Sequence, residues 1–544
     1  AYDFFEPLQT LDGYDIVEAV AAQDWVLGHR IGLVGLSYPG LSQLWVAQTR
    51  PPSLVAITPL SVIADTVSST LAPGGIFNDG FALNWAEGVL DGAAPYGQGW
   101  EQGLVAEGDE VCEENQLLHG QAIDTVKKAQ MHPFYVDSVA DPLNPSLFAE
   151  KIDIPVFLAG GWQDEQTGGH FPALFDKFTN APLTRFTAYN GIHQDGYAPE
   201  LLVEWKNFLD FHVALEVPEI DPVLRTLAPI LIESVFGAAV EFPPDRFAMF
   251  ESFDEAYAAY EAEPDIQILF DVGDSPLYTP GVPASSFQAS FEQWPLTETT
   301  PVRWYLQPDG TLAEDIPPAD GGSSEFVHDP QAGRTLNLAG NVNDVLPDWN
   351  WIQDAPGTAA VFVSEALSED TVMVGSASAD LWIRSSADEA DLEVTISEVR
   401  PDGQEMYVQS GWLRVSHRQL APEATDLRPI KTHQESDWQP LTPGEWVEAR
   451  IEIFPFGHAF RAGSKVRIAV DTPGETRAEW TFILADYMDE EVLHDVGHSA
   501  EHPSSVLLPV VPGIEVPSDL PPCPSLRGQP CHTFEDYTNT PSIP

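Results

Sequence analysis

The stretch RIGLVGLSYPGLSQLWVAQTR, residues 30–50, changes its character within one residue. RIGLVGL (30–36) is an apolar run of the length expected for a buried strand. PGLSQLWVAQTR (39–50) carries small residues at its start and apolar residues at helical spacing, so the pattern predicts a helix from Tyr38 to about Arg50. Only Ser37 lies between them. A serine on so sharp a strand-to-helix corner has two readings. One is an ordinary helix N-cap. The other is a nucleophile elbow, in which the turn lifts the hydroxyl above the sheet and aims the next backbone N–H, here that of Tyr38, at a developing oxyanion. The usual elbow is Gly-x-Ser-x-Gly. Here Gly35 and Ser37 keep the pattern, Pro39 stands at the second glycine position, and Gly40 follows.

A serine hydroxyl is a weak nucleophile without a base, and the base needs an orienting acid. On this kind of sheet both come later in the chain, each just after a strand, in the order serine, acid, histidine. The apolar run IPVFLAGG (154–161) ends at Trp162-Gln163-Asp164-Glu165, and RFTAYNG (185–191) ends at Ile192-His193-Gln194-Asp195. Asp164 and His193 therefore occupy the two required places. Glu165 and Asp195 are the rival acids. Glu165 is adjacent and expected to point elsewhere, and Asp195 is too close to His193 in the same loop.

Strand-like and helical patterns alternate around these motifs, which implies a mostly parallel α/β sheet. Helical spacing covers residues 12–27 (Ile16, Val17, Val20, Ala21, Trp25), and helix-like patterns continue at 168–180 and across 201–262. Residues 65–150 break the alternation; they are acidic and rich in Trp and Gly, with helical pieces at 79–90 and 112–130. An insertion of that length is expected to cap the carboxyl ends of the strands. Phe77, Phe81, Trp85 and Trp162, with Trp100 further along, are aromatic near the expected cap and triad, and either line a substrate pocket or pack a core. From about 265 the period changes to short strand-like runs separated by Gly, Pro and Asp, the pattern of an all-β sandwich of the jelly-roll kind. The resulting division is 1–64 and 151–264 for the α/β core with its helical extension, 65–150 for the cap, and 265–544 for the β-sandwich.

The segments DGYDIVEAVAAQDW, GLSYPG, LAGGWQDEQTGGHF and ADLWIRSSADEADLEVTISEVRPDGQEMYVQSGWLRVSHR resemble the cocaine esterase / X-Pro dipeptidyl-peptidase family of α/β-hydrolases. FPFGHAFRAGSKVRIAV and PPCPSLRGQPC resemble its bacterial acyl hydrolase branch. The resemblance spans nearly the whole chain. It implies an α/β-hydrolase domain with a helical cap and a C-terminal jelly roll, a catalytic serine, aspartate and histidine matching Ser37, Asp164 and His193, and hydrolysis of esters, some acyl amides or X-Pro peptides. In that family a tyrosine well before the serine completes the oxyanion hole. Only 36 residues precede Ser37, and Tyr2 and Tyr14 are too close to serve. The reading therefore expects an N-terminally incomplete sheet with an open edge beside RIGLVGL, and leaves the second oxyanion donor unassigned.

Composition narrows the partners. The chain has 544 residues and a formal net charge of −60, with 84 acidic against 24 basic residues, only seven of them lysine. Such a surface repels nucleic acid and anionic membranes, and no apolar run is long enough for a transmembrane helix. No signal peptide is visible in AYDFFEPLQTLDGYD. Cys523 and Cys531 lie in a Pro/Gly-rich tail and either form a disulfide, implying an oxidising and hence secreted or periplasmic setting, or remain free thiols as in a cytoplasmic protein. Cys112 reads as structural. His494 and His498, four apart, and the acidic run EGDEVCEEN (107–115) lack the spacing of a metal site, so they read as exposed loop histidines and a solvated face. No nucleotide or cofactor motif is present, and the sequence leaves a homo-oligomer open.

The expectation is a cofactor-free serine esterase or acylase acting on a small-molecule ester or amide. An X-Pro dipeptidyl-peptidase is the alternative within the enzyme class, and a non-catalytic carbohydrate-binding protein the alternative outside it. The acidic surplus itself has two explanations, adaptation to salt or the ordinary acidity of a secreted enzyme. If it is salt adaptation, screening of self-repulsion stabilises the fold. The melting temperature should then rise from low to molar salt in a thermal scan, and a flat or falling trend assigns the charge to the second explanation.

Overall fold

A computed structural model describes residues 4–119, 124–334, 344–346, 351–474, 479–488 and 490–536. Its first sheet is built from the runs identified above. Strand β1 is Ile31–Leu36 and β2 is Leu54–Leu60; a two-residue strand β3, Phe77–Asn78, belongs to the cap; β4 is Val156–Gly161, β5 Thr184–Tyr189, β6 Ile266–Phe270 and β7 Phe287–Phe291. The sheet order is β1-β2-β4-β5-β6-β7. The first four pairings are parallel, and β7 closes the far edge antiparallel to β6. Parallel strands need crossover segments that cover the faces, and helix α1 (Pro7–Ala21) and helix α2 (Tyr38–Ala47) pack here through Val17, Leu41, Leu44 and Trp45.

At the other edge β1 pairs only with β2 among the described residues. Among the described residues β1 is an edge strand, and Val34 on it is 51% exposed. The helix expected over 12–27 instead starts at Pro7, whose ring suits the first helical turn, and stops at Ala21. Trp25 therefore leaves the apolar face to which the pattern assigned it and is 76% exposed. The pattern at 168–180 gives only the short 3₁₀ turn Phe171–Leu174. Pro172 supplies no N–H and the chain bends around packed aromatic side chains instead.

The cap spans the polar insertion. Helix α3 runs Phe81–Ala93, and the expected 112–130 piece is two helices, Glu110–His119 and Thr125–Gln130, with residues 120–123 outside the described ones. Strand β3 pairs with Phe482–Ile483, which ties the cap to the C-terminal half.

The β-sandwich boundary expected at 265 needs correction. Ile266–Phe270 and Phe287–Phe291 complete the hydrolase sheet rather than opening the second domain. A strand-rich composition could not distinguish them, because a buried parallel strand and a sandwich strand are both short apolar runs. The C-terminal β domain then contains long strands, among them Thr371–Ser385, Asp391–Val399, Gln404–Arg414 and Val447–Phe460, paired antiparallel. Strand Thr371–Ser385 shows how the halves join. Val372 and Val374 enter the core of the α/β domain, whereas Met373, Ala377, Ala379 and Leu381 enter the core of the β domain. Alternation along one strand thus serves two cores at once.

His494 and His498, expected in an exposed loop, are buried at and just beyond the strand Leu493–Gly497. Burial and the neighbouring His328 push His494 down to about 3, so it packs as a neutral ring. His498 shares a hydrogen bond with the Ser324 hydroxyl at 3.1 Å.

Helix α2 sits close to the sheet because Gly40 has no side chain. A β-carbon there would lie 2.6 Å from the Leu60 carbonyl oxygen and 3.0 Å from that of Gly35. Gly40→Ala should push α2 away from β1 and β2 and destabilise the protein by about 1–3 kcal/mol, measured as a lower denaturant midpoint at unchanged slope.

Candidate active site

The corner at Ser37 is as tight as the sequence implies. Ser37 has φ 68° and ψ −132°, a region that costs a non-glycine residue about 1–3 kcal/mol. Two backbone bonds hold it there: the Ser37 N–H donates to the Leu60 carbonyl at 2.9 Å, and the Leu41 N–H donates to the Ser37 carbonyl at 2.7 Å. Gly35 is needed for the same reason, since a β-carbon on it would lie 2.4 Å from that of Pro39. Pro39 therefore fills the usual second-glycine position without loss of the turn, and Gly40 provides the close approach. Tyr38 opens α2, where the first N–H groups of a helix have no intrahelical acceptor.

Asp164 and His193 meet across the carboxyl ends of β4 and β5. The His193 Nδ1 lies 2.8 Å from Asp164 Oδ2 and 3.0 Å from Oδ1. The Gln166 and Thr167 N–H groups each donate to Asp164 Oδ1 at 2.8 Å. Burial opposes the charge on Asp164, yet the His193 charge and these hydrogen bonds hold its carboxyl below the usual range. Burial likewise disfavours a charged His193, but the Asp164 charge and hydrogen bond, aided by Glu165, raise it above its ordinary value. An Nδ1–H bonded to Asp164 leaves Nε2 as the basic nitrogen.

The rival acids have other work. Glu165 does not point away as expected. Its Oε2 accepts the backbone N–H of His193 at 2.9 Å, and burial together with the Asp164 charge raises its carboxyl. Asp195 is fully buried and pairs with Arg527. Ser37 reaches the same end of the sheet as His193. The turn His193–Tyr197 packs on Leu36, and a β-carbon on Gly196 would lie 2.3 Å from Leu36 Cδ1.

Ser37 and Tyr38 line a cavity of about 170 Å³ under the cap, with Phe77, Phe81 and Trp85 on its wall. Trp162 is not part of it: its ring is fully buried and stacks on Phe171 at 5.5 Å between centroids. Trp100 is exposed, far along the cap. The sequence reading missed Phe4, Phe5, Leu71, Phe134, Val136 and Leu143 on the wall, and with them the polar Thr66, Lys128, His132, Gln166 and Thr167. Phe5 stacks on Trp45 at 4.0 Å and on Tyr38 at 4.9 Å. Their signal was weak because single aromatic residues in loops carry no period. Gln9 donates to the Tyr38 hydroxyl at 3.0 Å, and Tyr14 lies within α1. Tyr2 lies outside the described residues.

Cys523 and Cys531 are joined by a disulfide, and Cys112 is a free thiol. Among the described residues no group of His, Cys, Asp and Glu is arranged to hold a metal ion.

Two family models match the chain: the X-Pro dipeptidyl-peptidase (S15) family over residues 1–195, and the X-Pro dipeptidyl-peptidase C-terminal non-catalytic domain over 270–506. The chain belongs to the cocaine esterase / X-Pro dipeptidyl-peptidase family. It is a serine hydrolase. A Mycobacterium bovis protein whose name places it among serine esterases is 24% identical over 507 residues, which are 84% of this chain and 73% of that protein. Cocaine esterase of Rhodococcus is 22% identical over 537 residues, 92% of this chain and 84% of its own. The crystal structure of a CocE/NonD family hydrolase from Staphylococcus aureus superposes with a TM-score of 0.63 at 19% identity, covering 92% of this chain and 75% of that one. That likeness shows the shared fold: an α/β hydrolase with a C-terminal β domain.

The raised His193 sets an expected pH profile. A histidine acting as a base must be neutral, so activity that depends on it is lost as pH falls through its pKa. The acid limb of kcat/KM should therefore have its midpoint above about 6.5, the value of an unperturbed imidazole, in a pH–rate titration with a neutral ester.

Proposed function

We propose that this serine hydrolase cleaves carboxylic esters or acyl amides with apolar acyl groups, through an acyl-enzyme formed on Ser37. Supporting the reading is one arrangement: the buried Asp164–His193 pair after β4 and β5, the strained serine at the end of β1, which β2 separates from β4, and a mostly apolar cavity opening on that serine. In this mechanism His193 Nε2 removes the proton from the Ser37 hydroxyl as the oxygen attacks the carbonyl carbon. The Tyr38 N–H stabilises the resulting oxyanion. His193 then passes the proton to the leaving alcohol or amine, and water repeats the sequence to release the acid. Asp164 fixes the imidazole tautomer and stabilises the imidazolium. No cofactor enters the scheme.

The cavity favours this reading over an X-Pro peptidase. A dipeptidyl-peptidase substrate presents a charged α-ammonium that needs an anionic or polar anchor. Among the described residues no Asp or Glu lines the cavity, although the chain has 84 of them. The lining offers an ammonium no carboxylate, only neutral groups such as Thr66, Gln166 and Thr167, and it includes the cationic Lys128. The carbohydrate-binding alternative does not describe a member of a serine hydrolase family. The Cys523–Cys531 bond supports an oxidising compartment, hence a secreted or periplasmic enzyme. Among the described residues no helix is long and apolar enough to cross a membrane.

Ser37→Ala should abolish fluorophosphonate labelling and lower kcat by roughly 10⁶, and Asp164→Asn should lower kcat by roughly 10⁴, both with an intact melting transition. Undiminished labelling of Ser37→Ala moves the nucleophile elsewhere. In a panel of chromogenic substrates, esters and amides with neutral apolar acyl groups should exceed X-Pro anilides in kcat/KM by about 10² or more. The reverse order selects the peptidase.

A further inference from the structure

Arg527 lies in the loop closed by the disulfide between Cys523 and Cys531, eight positions apart, and is 332 residues from Asp195 in sequence. Its Nε and Nη2 both donate to Asp195 Oδ1, at 3.0 and 2.6 Å, and the two side chains are 1% and 0% exposed. The other guanidinium nitrogen, Nη1, donates to the Val345 carbonyl at 3.0 Å and, at longer distance, to those of Gly281 and Asp344. Asp195 in turn holds the segment that carries His193. Its Oδ2 accepts the N–H of Ile192 at 2.8 Å, and its own N–H donates to the Ile192 carbonyl at 3.0 Å.

The same tail loop touches the histidine and acid segments at further points. The Asn190 amide donates to the Arg527 carbonyl at 3.1 Å, and the Arg527 N–H donates to the Val272 carbonyl at 2.8 Å. Gly528, with φ +73°, lies flat on both segments. A β-carbon on it would stand 2.7 Å from Gln163 Cβ and 3.1 Å from the Gly191 carbonyl carbon. Gln163 belongs to the acid loop and also accepts the Gly191 N–H at 3.1 Å. The disulfide loop therefore spans the two segments whose separation sets the Asp164–His193 distance.

We infer that Arg527, carried on the Cys523–Cys531 loop, is a positioning residue that fixes His193 by gripping Asp195, so that closure of the disulfide is required for full catalytic rate. The inference rests on the triad reading, because Arg527 touches neither substrate nor the reacting atoms. A buried ion pair is a poor source of net stability compared with apolar packing, and a fork of fixed geometry is well suited to setting a loop. A displacement of about 1 Å at a catalytic base costs on the order of 10² in rate.

The test compares wild type with Asp195→Asn/Arg527→Gln, Arg527→Lys, Cys523→Ser/Cys531→Ser and His193→Ala. The double variant removes both charges together, so that no lone buried charge unfolds the protein. The readouts are kcat and KM for a neutral ester, referred to sites titrated with fluorophosphonate, together with the pH dependence of the labelling rate and the melting curve. The expected result is a folded double variant with kcat lowered about 10- to 100-fold and KM little changed. Its acid limb should move down towards that of an unperturbed imidazole, as His193 drifts from Asp164 and Glu165. Arg527→Lys should recover only part of the rate, since lysine keeps the charge and loses the fork. The cysteine variant should show the same split while remaining folded. A folded double variant or cysteine variant with the wild-type kcat and pH profile overturns the inference. So does a loss confined to the titratable fraction, which is the signature of a structural role alone. If His193→Ala still labels at the wild-type rate, the triad reading itself fails; if it is inert while the double variant behaves as wild type, only the role of Arg527 fails.

Discussion

A carboxylate as deeply buried as that of Asp164, 1% exposed, stays ionised only while donors surround it. Two backbone N–H groups and the His193 ring supply them. Each of these donors sits on a loop, and loops at strand ends are the least constrained parts of an α/β domain. The top of the sheet is organised to remove that freedom. The β domain reaches over it: Gln409 donates to the Trp162 carbonyl at 2.9 Å, Gln163 to the Val408 carbonyl at 2.9 Å, and the Trp480 indole to the Glu165 carbonyl at 3.0 Å. His170, at the end of the acid loop, joins the Ser69 hydroxyl at 2.8 Å and the Glu452 carboxylate at 3.1 Å. A non-catalytic domain thus supplies the rigidity on which the candidate site depends.

Electrostatics follow the same division between inside and outside. The chain carries 24 basic residues against 84 acidic ones, yet several arginines are buried rather than displayed. Arg461 pairs with Asp271, Arg467 with Glu405 and Asp354, and Arg527 with Asp195. Arg414 forms two parallel bonds of 2.7 Å to Asp391, whose side chain has no exposure. Arginine suits these places because its planar fork satisfies a buried carboxylate in a fixed orientation. Each of these arginines is matched to a buried carboxylate, and the surface is left with a large negative excess. Selection for an acidic surface therefore need not disturb the site.

The pocket combines a strained corner with the packed segment that precedes α1. Phe4 and Phe5 precede α1 and pack their rings against Tyr38, Trp45 and Trp85, joining α2 to the cap. The cap contributes Phe77, Phe81 and Trp85 from one side and Phe134 and Val136 from the other. Phe134 also stacks on His417 of the β domain at 5.3 Å. The α/β domain and the cap thus line the cavity, and the β domain backs its wall through the Phe134–His417 contact.

The amino-acid sequence by itself determined the α/β class, the Ser37 corner and the places of Asp164 and His193. Each of these rests on local physics: a strand run, a turn that needs Gly35 and Gly40, and loops that follow strands in a fixed order. It also marked Phe77, Phe81 and Trp85, since they cluster in one insertion. It could not place Trp162, which is aromatic and adjacent to Asp164 but turns into the core. Nor could it separate Ile266–Phe270 from the sandwich strands, because a short apolar run has the same period in either sheet. Only the tertiary structure shows that Asp164 bonds the His193 ring, while Glu165 and Asp195 bond the backbone of its segment. Glu165 and Asp195 have the same chemistry as Asp164 and lie within a few residues of the pair. Their segments are held by partners far away in sequence, Trp480 and Arg527, and no local pattern encodes a contact across more than three hundred residues.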